Sequence, residues 1–246
     1  MKAIQTTDNE TRINVGIIRE IVPDGGAASV SRGQDQSMYE WWKSVFDRVM
    51  AFMAIVILSP LLVAIAIYVR IDSPGGAIYH REQVGKRGHK FVAYKFRTMQ
   101  INNDDREYKA YLVKYIQENS PYKVDGDGKP VFKVVDDPRV TRCGVLLRRT
   151  NLDELPQLFN VLKGEMSFVG PRPDIPFSVN MYQERHRQRL AVTPGITGLW
   201  KVCSRKEVSF EEMVRLDIDY IKRRSFLLDA KIMLLTLGTI FKGDGS

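Results

Sequence analysis

The chain has 246 residues, a formal net charge of +8 and 44% hydrophobic residues, enough for one sizeable domain and an anchor. Its 2 cysteines exclude a disulfide framework and point to a reducing compartment, and its 3 histidines (His80, His89, His186) lack the paired spacing of a zinc site. The positive balance points to anionic partners: phosphates, nucleotides, acidic lipid or nucleic acid.

Residues 1–37 mix charges with Gly25-Gly26 and a Ser/Gln/Asp-rich end. They lack the apolar core of a signal peptide and read as a mobile tail. From Met38 the pattern changes. Tyr39, Trp41, Trp42, Phe46 and Val49, set among Glu40, Lys43, Asp47 and Arg48, predict an amphipathic lead-in helix. Its tryptophans suit a headgroup belt, although an aromatic core stripe has the same spacing.

Val49 to Val69 contains no charged side chain and is interrupted by Ser59-Pro60. A continuous helix of that length covers about 30 Å, the thickness of a bilayer's hydrocarbon core. Pro60 donates no backbone hydrogen bond and pushes Ser59 away from helical geometry. A helix that turns there has arms of about 15 Å, reaches mid-membrane and comes back. The backbone groups it frees need partners, and the Ser59 hydroxyl is a local candidate. Lys43 and Arg48 precede the run; Arg70, Arg81, Lys86 and Arg87 follow it. Basic residues on both flanks fit a hairpin dipping in from the cytoplasm, but a kinked spanning helix also tolerates proline, so local physics leaves both open. The expected organisation is a tail over 1–37, a membrane segment over 38–71 and a catalytic domain over 72–246.

After the turn Asp72 to Gly76, Ala77 to Tyr79 and Phe91 to Phe96 read as strands around the basic loop Val84 to Lys90. A helix is predicted over Asp104 to Glu118 and a loop over Asn119 to Lys133. Asp125-Gly126-Asp127-Gly128 lacks the closing glutamate of a calcium loop and reads as a turn. Leu155, Leu158, Phe159 and Leu162 keep helical spacing up to Gly164, and Pro156 fits only a first turn, so the helix should begin near Asp153. That places Asp153 and Glu154 at a helix N-terminus behind Arg148 and Arg149. Asp153 as an N-cap and Glu154 as a first-turn acid would explain the pair structurally. A carboxylate can also attack phosphorus, given cations to draw off charge. Lys95, Arg97, Arg148 and Arg172 are available, the last held in a stiff loop by Pro171 and Pro173.

Five segments together resemble the bacterial sugar transferase family, the monotopic polyprenyl-phosphate phosphoglycosyl transferases. They are Ser59-Pro60, Tyr94-Lys95-Phe96-Arg97-Thr98-Met99, Thr150 to Gln157, Val169-Gly170-Pro171-Arg172-Pro173, and Thr193-Pro194-Gly195-Ile196-Thr197-Gly198-Leu199-Trp200. The likeness covers roughly Trp41 to Phe241. It implies a mixed, helix-rich α/β fold with a re-entrant membrane hairpin broken at Ser59-Pro60 and amphipathic interfacial helices. It also implies transfer of a sugar-1-phosphate from a UDP-sugar to undecaprenyl phosphate or a similar lipid, with release of UMP. On this resemblance Asp153 is the nucleophile that carries the phosphosugar, Glu154 is its partner, and the pair holds magnesium. Lys95, Arg97, Arg148 and Arg172 become phosphate or nucleotide ligands, and Asp217 matches a further acid that supports the site. The enzyme would sit on the cytoplasmic face of a bacterial inner membrane and start lipid-linked glycan or exopolysaccharide synthesis. The helix Phe226 to Phe241 is read either as a second membrane contact or as a core helix.

The chain departs from the family pattern at Lys201, where glutamine is usual, at Cys203-Ser204-Arg205, and at Arg81 to Gly85, where Gln and Arg exchange places. Against the resemblance it is expected to be a short form, without the four-helix bundle and nucleotide-fold-like domain of longer members. A non-catalytic membrane component of a polysaccharide-export complex is the alternative from a different class. A nucleic-acid-binding protein fits the charge, but no nucleic-acid motif is present and an uncharged membrane run is out of place.

Overall fold

The apolar run folds as part of one long helix, α1 (Gln34–Asp72), in a computed structural model that describes residues 34–101, 105–124, 126, 128, 130–132, 134, 137–203 and 208–241. The predicted tail lies outside the described residues up to residue 33, and α1 takes in its last four positions. At about 1.5 Å per residue α1 is roughly 58 Å long, and it is the one described helix long and apolar enough to cross a membrane.

Pro60 lies inside α1, and the helix continues past it rather than ending there. The physical reason is local. Pro60 has no N–H for the carbonyl of Val56 one turn back, and the Ser59 hydroxyl donates to that carbonyl at 2.8 Å instead. The Ser59 hydroxyl thus serves the carbonyl that Pro60 leaves without a partner, and α1 runs through Pro60 as a single element.

One stripe of α1 packs along the rest of the chain. Ala51 is buried with Phe91, Ala93, Val161 and Met166; fourteen residues later Ile65, followed by Val69, is buried with Phe96, Cys143 and Leu147. The N-terminal part is tied down by polar groups. Tyr39 Oη and Lys43 Nζ donate to Asp229 Oδ2 at 2.8 and 2.7 Å, and Tyr220 Oη donates to the other oxygen at 2.7 Å. Ser167 Oγ donates to Asp47 at 2.6 Å. The opposite side of α1 is bare and apolar. Trp41 (59% exposed) and Trp42 (55%) face outward, which excludes the core-stripe reading, and Phe46, Phe52, Ile57 and Ile67 continue that surface.

Three small sheets follow instead of one large one. Strands β1 (Ile78–Val84) and β2 (Lys90–Phe96) form an antiparallel hairpin with Gln83 opposite Phe91 and Tyr79 opposite Lys95. The first strand runs further than the sequence indicates, because His80 to Gln83 alternate poorly in polarity yet complete the ladder. Helix α2 (Arg106–Gln117) comes next, then a minimal pair β3 (Lys123–Val124) and β4 (Pro130–Val131) within the predicted loop. Helix α3 (Arg142–Thr150) is capped by the Thr141 hydroxyl on the Gly144 N–H at 3.0 Å. A Cβ on Gly144 would lie 2.2 Å from the Thr98 carbonyl oxygen, so only glycine lets α3 approach the end of β2 this closely.

The chain then forms a 3-10 turn over Leu152–Gln157, helix α4 (Leu158–Lys163) ending on left-handed Gly164, and strand β5 (Ser167–Val169). Short helices α5 (Pro176–Val179) and α6 (Glu184–Arg187) lead to β6 (Gly195–Thr197), which pairs with β5 in parallel. Helices α7 (Leu199–Cys203), α8 (Phe210–Arg223) and α9 (Phe226–Phe241) complete the order. Leu228 and Ile232 of α9 are buried against Val169, Leu199, Leu216 and Tyr220. Phe226, Leu227, Leu234 and Leu237 of the same helix are exposed. One face of this helix is therefore core, and the other is an exposed apolar surface.

Candidate active site

The Asp-Glu pair sits in the 3-10 turn, one turn before α4, rather than at the first turn of an α-helix. Pro156 lies inside this turn, where it fixes its own φ and donates no N–H, and the α-helix begins only after it, at Leu158. Asn151, in left-handed conformation at φ 55, precedes the turn and makes no side-chain cap. Leu152 and Leu155, on either side of the acids, pack against the cluster of Ile65, Val69, Phe96, Cys143 and Leu147. The turn thereby shares a core with the second half of the apolar helix.

Glu154 is almost fully enclosed. Lys95 Nζ contacts its Oε1 at 2.8 Å and Lys201 Nζ its Oε2 at 2.8 Å, while Arg172 approaches Oε1 at 3.8 Å. Burial opposes its charge, but Lys201, Lys95 and Arg172 outweigh burial and hold the carboxyl well below the usual carboxylate range. Asp153 is the reverse case. Burial, reinforced by the neighbouring Glu154 charge, raises its carboxyl above the usual range, while Lys95, Arg148 and Lys201 pull it back down. Its Oδ1 is buried without a hydrogen-bond partner. A helix cap would engage that oxygen with a backbone N–H, and the Asp153 side chain does not.

Different elements deliver the cations. Lys95 comes from β2, which is fixed to α4 by Asn160: Tyr94 N donates to Asn160 Oδ1 at 3.0 Å, and Asn160 Nδ2 donates to Val92 O at 2.7 Å. Arg148 lies in the last turn of α3, where its Nε donates to Thr98 Oγ1 at 3.0 Å. Burial lowers its pKa, opposed by Asp153 and Asp137. Arg172 projects from the Pro-Arg-Pro loop, 42% exposed, with its guanidinium 5.6 Å from the centre of the Trp200 ring. That loop meets the Thr193 to Trp200 segment through the β5–β6 pairing and the Gly195 N–H, which donates to Pro171 O at 2.9 Å. A Cβ on Gly195 would lie 2.1 Å from the Gly170 nitrogen, so the approach requires glycine.

Two expected ligands stand elsewhere. Arg97 directs its guanidinium at three carbonyls, Gly76, Pro74 and Ser73, at 2.7, 2.8 and 2.8 Å. Its donors clamp the turn after α1, so we correct its assignment from phosphate ligand to structural clamp. Asp217 does not face the cleft either. It is buried on α8 and accepts from Arg189 Nε at 2.7 Å, while Arg189 Nη2 donates to the Arg172 backbone carbonyl at 3.1 Å. Burial lifts Asp217 to about 6 against the pull of Arg189. Asp217 thus reaches the Arg172 loop at one remove, through Arg189, and not as a direct ligand.

The sequence also left site residues unassigned. Lys201 stood out only as a departure from a family glutamine. Arg189, within a run of basic residues, resembles a solvated charge. Gln83 and Gln157 join Lys95, Glu154, Arg172, Pro173, Gly195 and Ile196 in lining the small cleft beside the dyad.

A profile of the bacterial sugar transferase family matches residues 38–243. The chain belongs to the bacterial sugar transferase family. Among this family's members, the UDP-galactose-lipid carrier transferase of Erwinia amylovora is 40% identical over 204 residues, covering 83% of the chain and 41% of that protein. The undecaprenyl-phosphate galactose phosphotransferase of Salmonella typhimurium is 38% identical over 205 residues, 83% of the chain and 41% of that protein. The exopolysaccharide production protein ExoY of Sinorhizobium fredii is 36% identical over 204 residues, 83% of the chain and 87% of that protein. The chain therefore spans well under half of the first two relatives and most of the third.

A magnesium ion fits this bacterial sugar transferase site on the chemistry of its donors. Magnesium prefers hard oxygen ligands and commonly takes one or two carboxylates plus substrate phosphates. Asp153 Oδ1 is a buried carboxylate oxygen without a partner, while the Glu154 oxygens are shared with lysines. Among the described residues no cluster of three His, Cys, Asp or Glu side chains forms a closed metal cage.

Proposed function

We propose that the chain moves a sugar-1-phosphate from a UDP-sugar to a polyprenyl phosphate such as undecaprenyl phosphate, through a covalent phosphosugar on Asp153. The observation that carries this reading is the buried, unpartnered Asp153 Oδ1 beside an ionised Glu154, with Lys95, Lys201, Arg148 and Arg172 around them. A carboxylate oxygen of Asp153 attacks the β-phosphorus of the donor. The bond from that phosphorus to the bridging oxygen breaks, and UMP leaves. An oxygen of the lipid phosphate then attacks the same phosphorus and frees Asp153. Two displacements suit two substrates of opposite solubility, because the nucleotide departs before the lipid arrives.

The residues have separate tasks. Glu154, fixed by two lysines, keeps the cationic wall in place without competing as a nucleophile. Arg148 and Arg172 supply charge-assisted hydrogen bonds to the donor's phosphates. The Asp153 carboxylate, with Glu154 beside it, would hold a magnesium ion, which would supply further charge neutralisation.

We further propose that α1 enters and leaves the membrane through one leaflet, bending at Ser59-Pro60, with α9 as a second contact. Support comes from the packing of Ala51 and of Ile65 and Val69 on the same domain, one patch before the proline and one after it. A helix that crossed the bilayer would carry one of those patches to the far side. The dyad turn shares a core with this helix through Leu152 and Leu155, which suits a site at the depth of lipid phosphates. On this reading the catalytic domain faces the cytoplasm at the inner membrane and starts a lipid-linked glycan. The test is to mix purified protein with UDP-galactose or UDP-glucose, magnesium and undecaprenyl phosphate and to measure UMP. Release of UMP is expected; its absence with a panel of UDP-sugars overturns the reading in favour of a non-catalytic export component.

A further inference from the structure

Gln83 is buried near the end of β1, and its Oε1 has no hydrogen-bond partner. Buried side-chain oxygens almost always find a donor in folded proteins, so an orphan next to a reactive dyad calls for a ligand. The surroundings narrow the choice. Gln83 lines the cleft that also exposes Lys95, Glu154 and Arg172. The next residue, Val84, donates its N–H to the Asp174 carbonyl at 2.8 Å, which ties this end of β1 to the loop carrying Arg172. Gln83 therefore shares one cleft with Lys95, Arg172 and Glu154.

Lys95, Lys201, Arg148 and Arg172 are donors without acceptor capacity, suited to phosphate oxygens but unable to accept from a hydroxyl. Glu154 retains acceptor capacity, but it is an anion already committed to Lys95 and Lys201. Gln83 and Gln157 are the neutral amides lining this cleft, and of the two Gln83 carries the buried oxygen without a partner. Neutral amides commonly read sugar hydroxyls, and a site built to bond a hydroxyl strongly rejects analogues that lack it or present it elsewhere.

We infer that Gln83 is a donor-specificity residue, whose Oε1 accepts a hydrogen bond from a ring hydroxyl of the sugar attached to the attacked phosphate. The inference rests on the proposed sugar-phosphate transfer and names the group that selects the sugar. The sugar is favoured over the base because Gln83 shares the cleft of the dyad. The reacting phosphorus bears the sugar directly, and the uridine lies beyond the second phosphate.

The test compares wild type with Gln83→Met, which removes the acceptor at similar volume, and with Gln83→Glu, which keeps an acceptor. Activity of the full chain in lipid nanodiscs is followed as UMP release from UDP-galactose, UDP-glucose and UDP-N-acetylglucosamine, and UMP is titrated as a product inhibitor. For Gln83→Met the expected result is a tenfold or larger loss of kcat/KM on the preferred donor. The ratio of preferred to second donor should shrink, and UMP inhibition should stay unchanged. Gln83→Glu is expected to retain more of the preference than Gln83→Met. Equal losses on all donors, weakened UMP inhibition, or no loss at all would overturn the inference. Binding of the same nucleotides to Asp153→Asn, with and without Gln83→Met, separates this question from catalysis. A wild type that binds but turns over no donor sinks the transferase reading, and the binding ratios alone then decide the role of Gln83.

Discussion

Lys201→Met should show directly how the dyad is held. Lys201 Nζ is 2.8 Å from Glu154 Oε2, and the two side chains are only 16% and 11% exposed. The substitution keeps the length of the side chain and removes its charge. Hydrogen bonds to charged groups contribute about 1.5–3 kcal/mol, and Lys95 remains on the other oxygen, so the loss should stay below the 3–5 kcal/mol, approximately, of a buried charge stripped of its only partner. For a domain of this size that corresponds to roughly 3–12 °C in Tm. The pH dependence has a definite sign. Glu154 is held below its ordinary value of 4.5, so its contribution is present above that value and lost as pH falls through the depressed one. The difference between wild type and variant should be full at pH 7 and should narrow below about pH 4.5. Thermal unfolding in nanodiscs at several pH values measures it, and a cycle with Glu154→Gln isolates the pair. Equal stability of wild type and Lys201→Met at pH 7 would refute the reasoning.

Arg148→Ala should lower kcat/KM for the donor by about thirtyfold or more, the equivalent of about 2 kcal/mol for a lost charge-assisted phosphate contact; an unchanged donor response would make Arg148 a purely structural partner of Thr98. Asp153 must be ionised to attack, and burial with the Glu154 charge raises its pKa, so activity should fall with decreasing pH at a midpoint above the ordinary 3.8. Glu154→Gln should move that midpoint down by removing a like charge, and Lys201→Met should move it up; a midpoint identical in all three proteins would contradict the coupling. The two native cysteines, Cys143 and Cys203, are buried, so an impermeant maleimide should report cleanly on Ser37→Cys in the first turn of α1, ahead of the apolar run, and Lys222→Cys in the domain. Both should label from the same face of sealed vesicles, and opposite faces would end the one-leaflet proposal.

The membrane run and the dyad were legible because each violates an ordinary rule: a long stretch without charge, and two acids beside a proline amid arginines. The β1–β2 hairpin, α2 and α4 followed in outline from periodicity and turn residues, while α3 and the β5–β6 pair did not. The course of α1 at Pro60 was not, because it depends on a single hydroxyl, Ser59, reaching the carbonyl that proline leaves bare. Arg97 and Lys95 lie two residues apart, yet one clamps a turn and the other meets Glu154; sequence records their charge but not which face of the chain is turned to the cleft. Lys201, Gln83 and Arg189 reach the site or its support from elements remote in sequence, brought together by the β1–β2 hairpin, the β5–β6 pairing and α8. Tertiary placement of that kind leaves no local pattern. For α9 the composition fits both core and surface, and the structure divides the two between its faces.

The most direct test of the central claim is to trap the intermediate. Protein incubated with a labelled UDP-sugar and magnesium, without lipid acceptor, should gain the mass of one hexose phosphate on the peptide containing Asp153 and release one equivalent of UMP. Undecaprenyl phosphate added afterwards should discharge it, and Asp153→Asn should never acquire it. A full burst of UMP without any adduct, or an adduct on a different residue, would contradict the account.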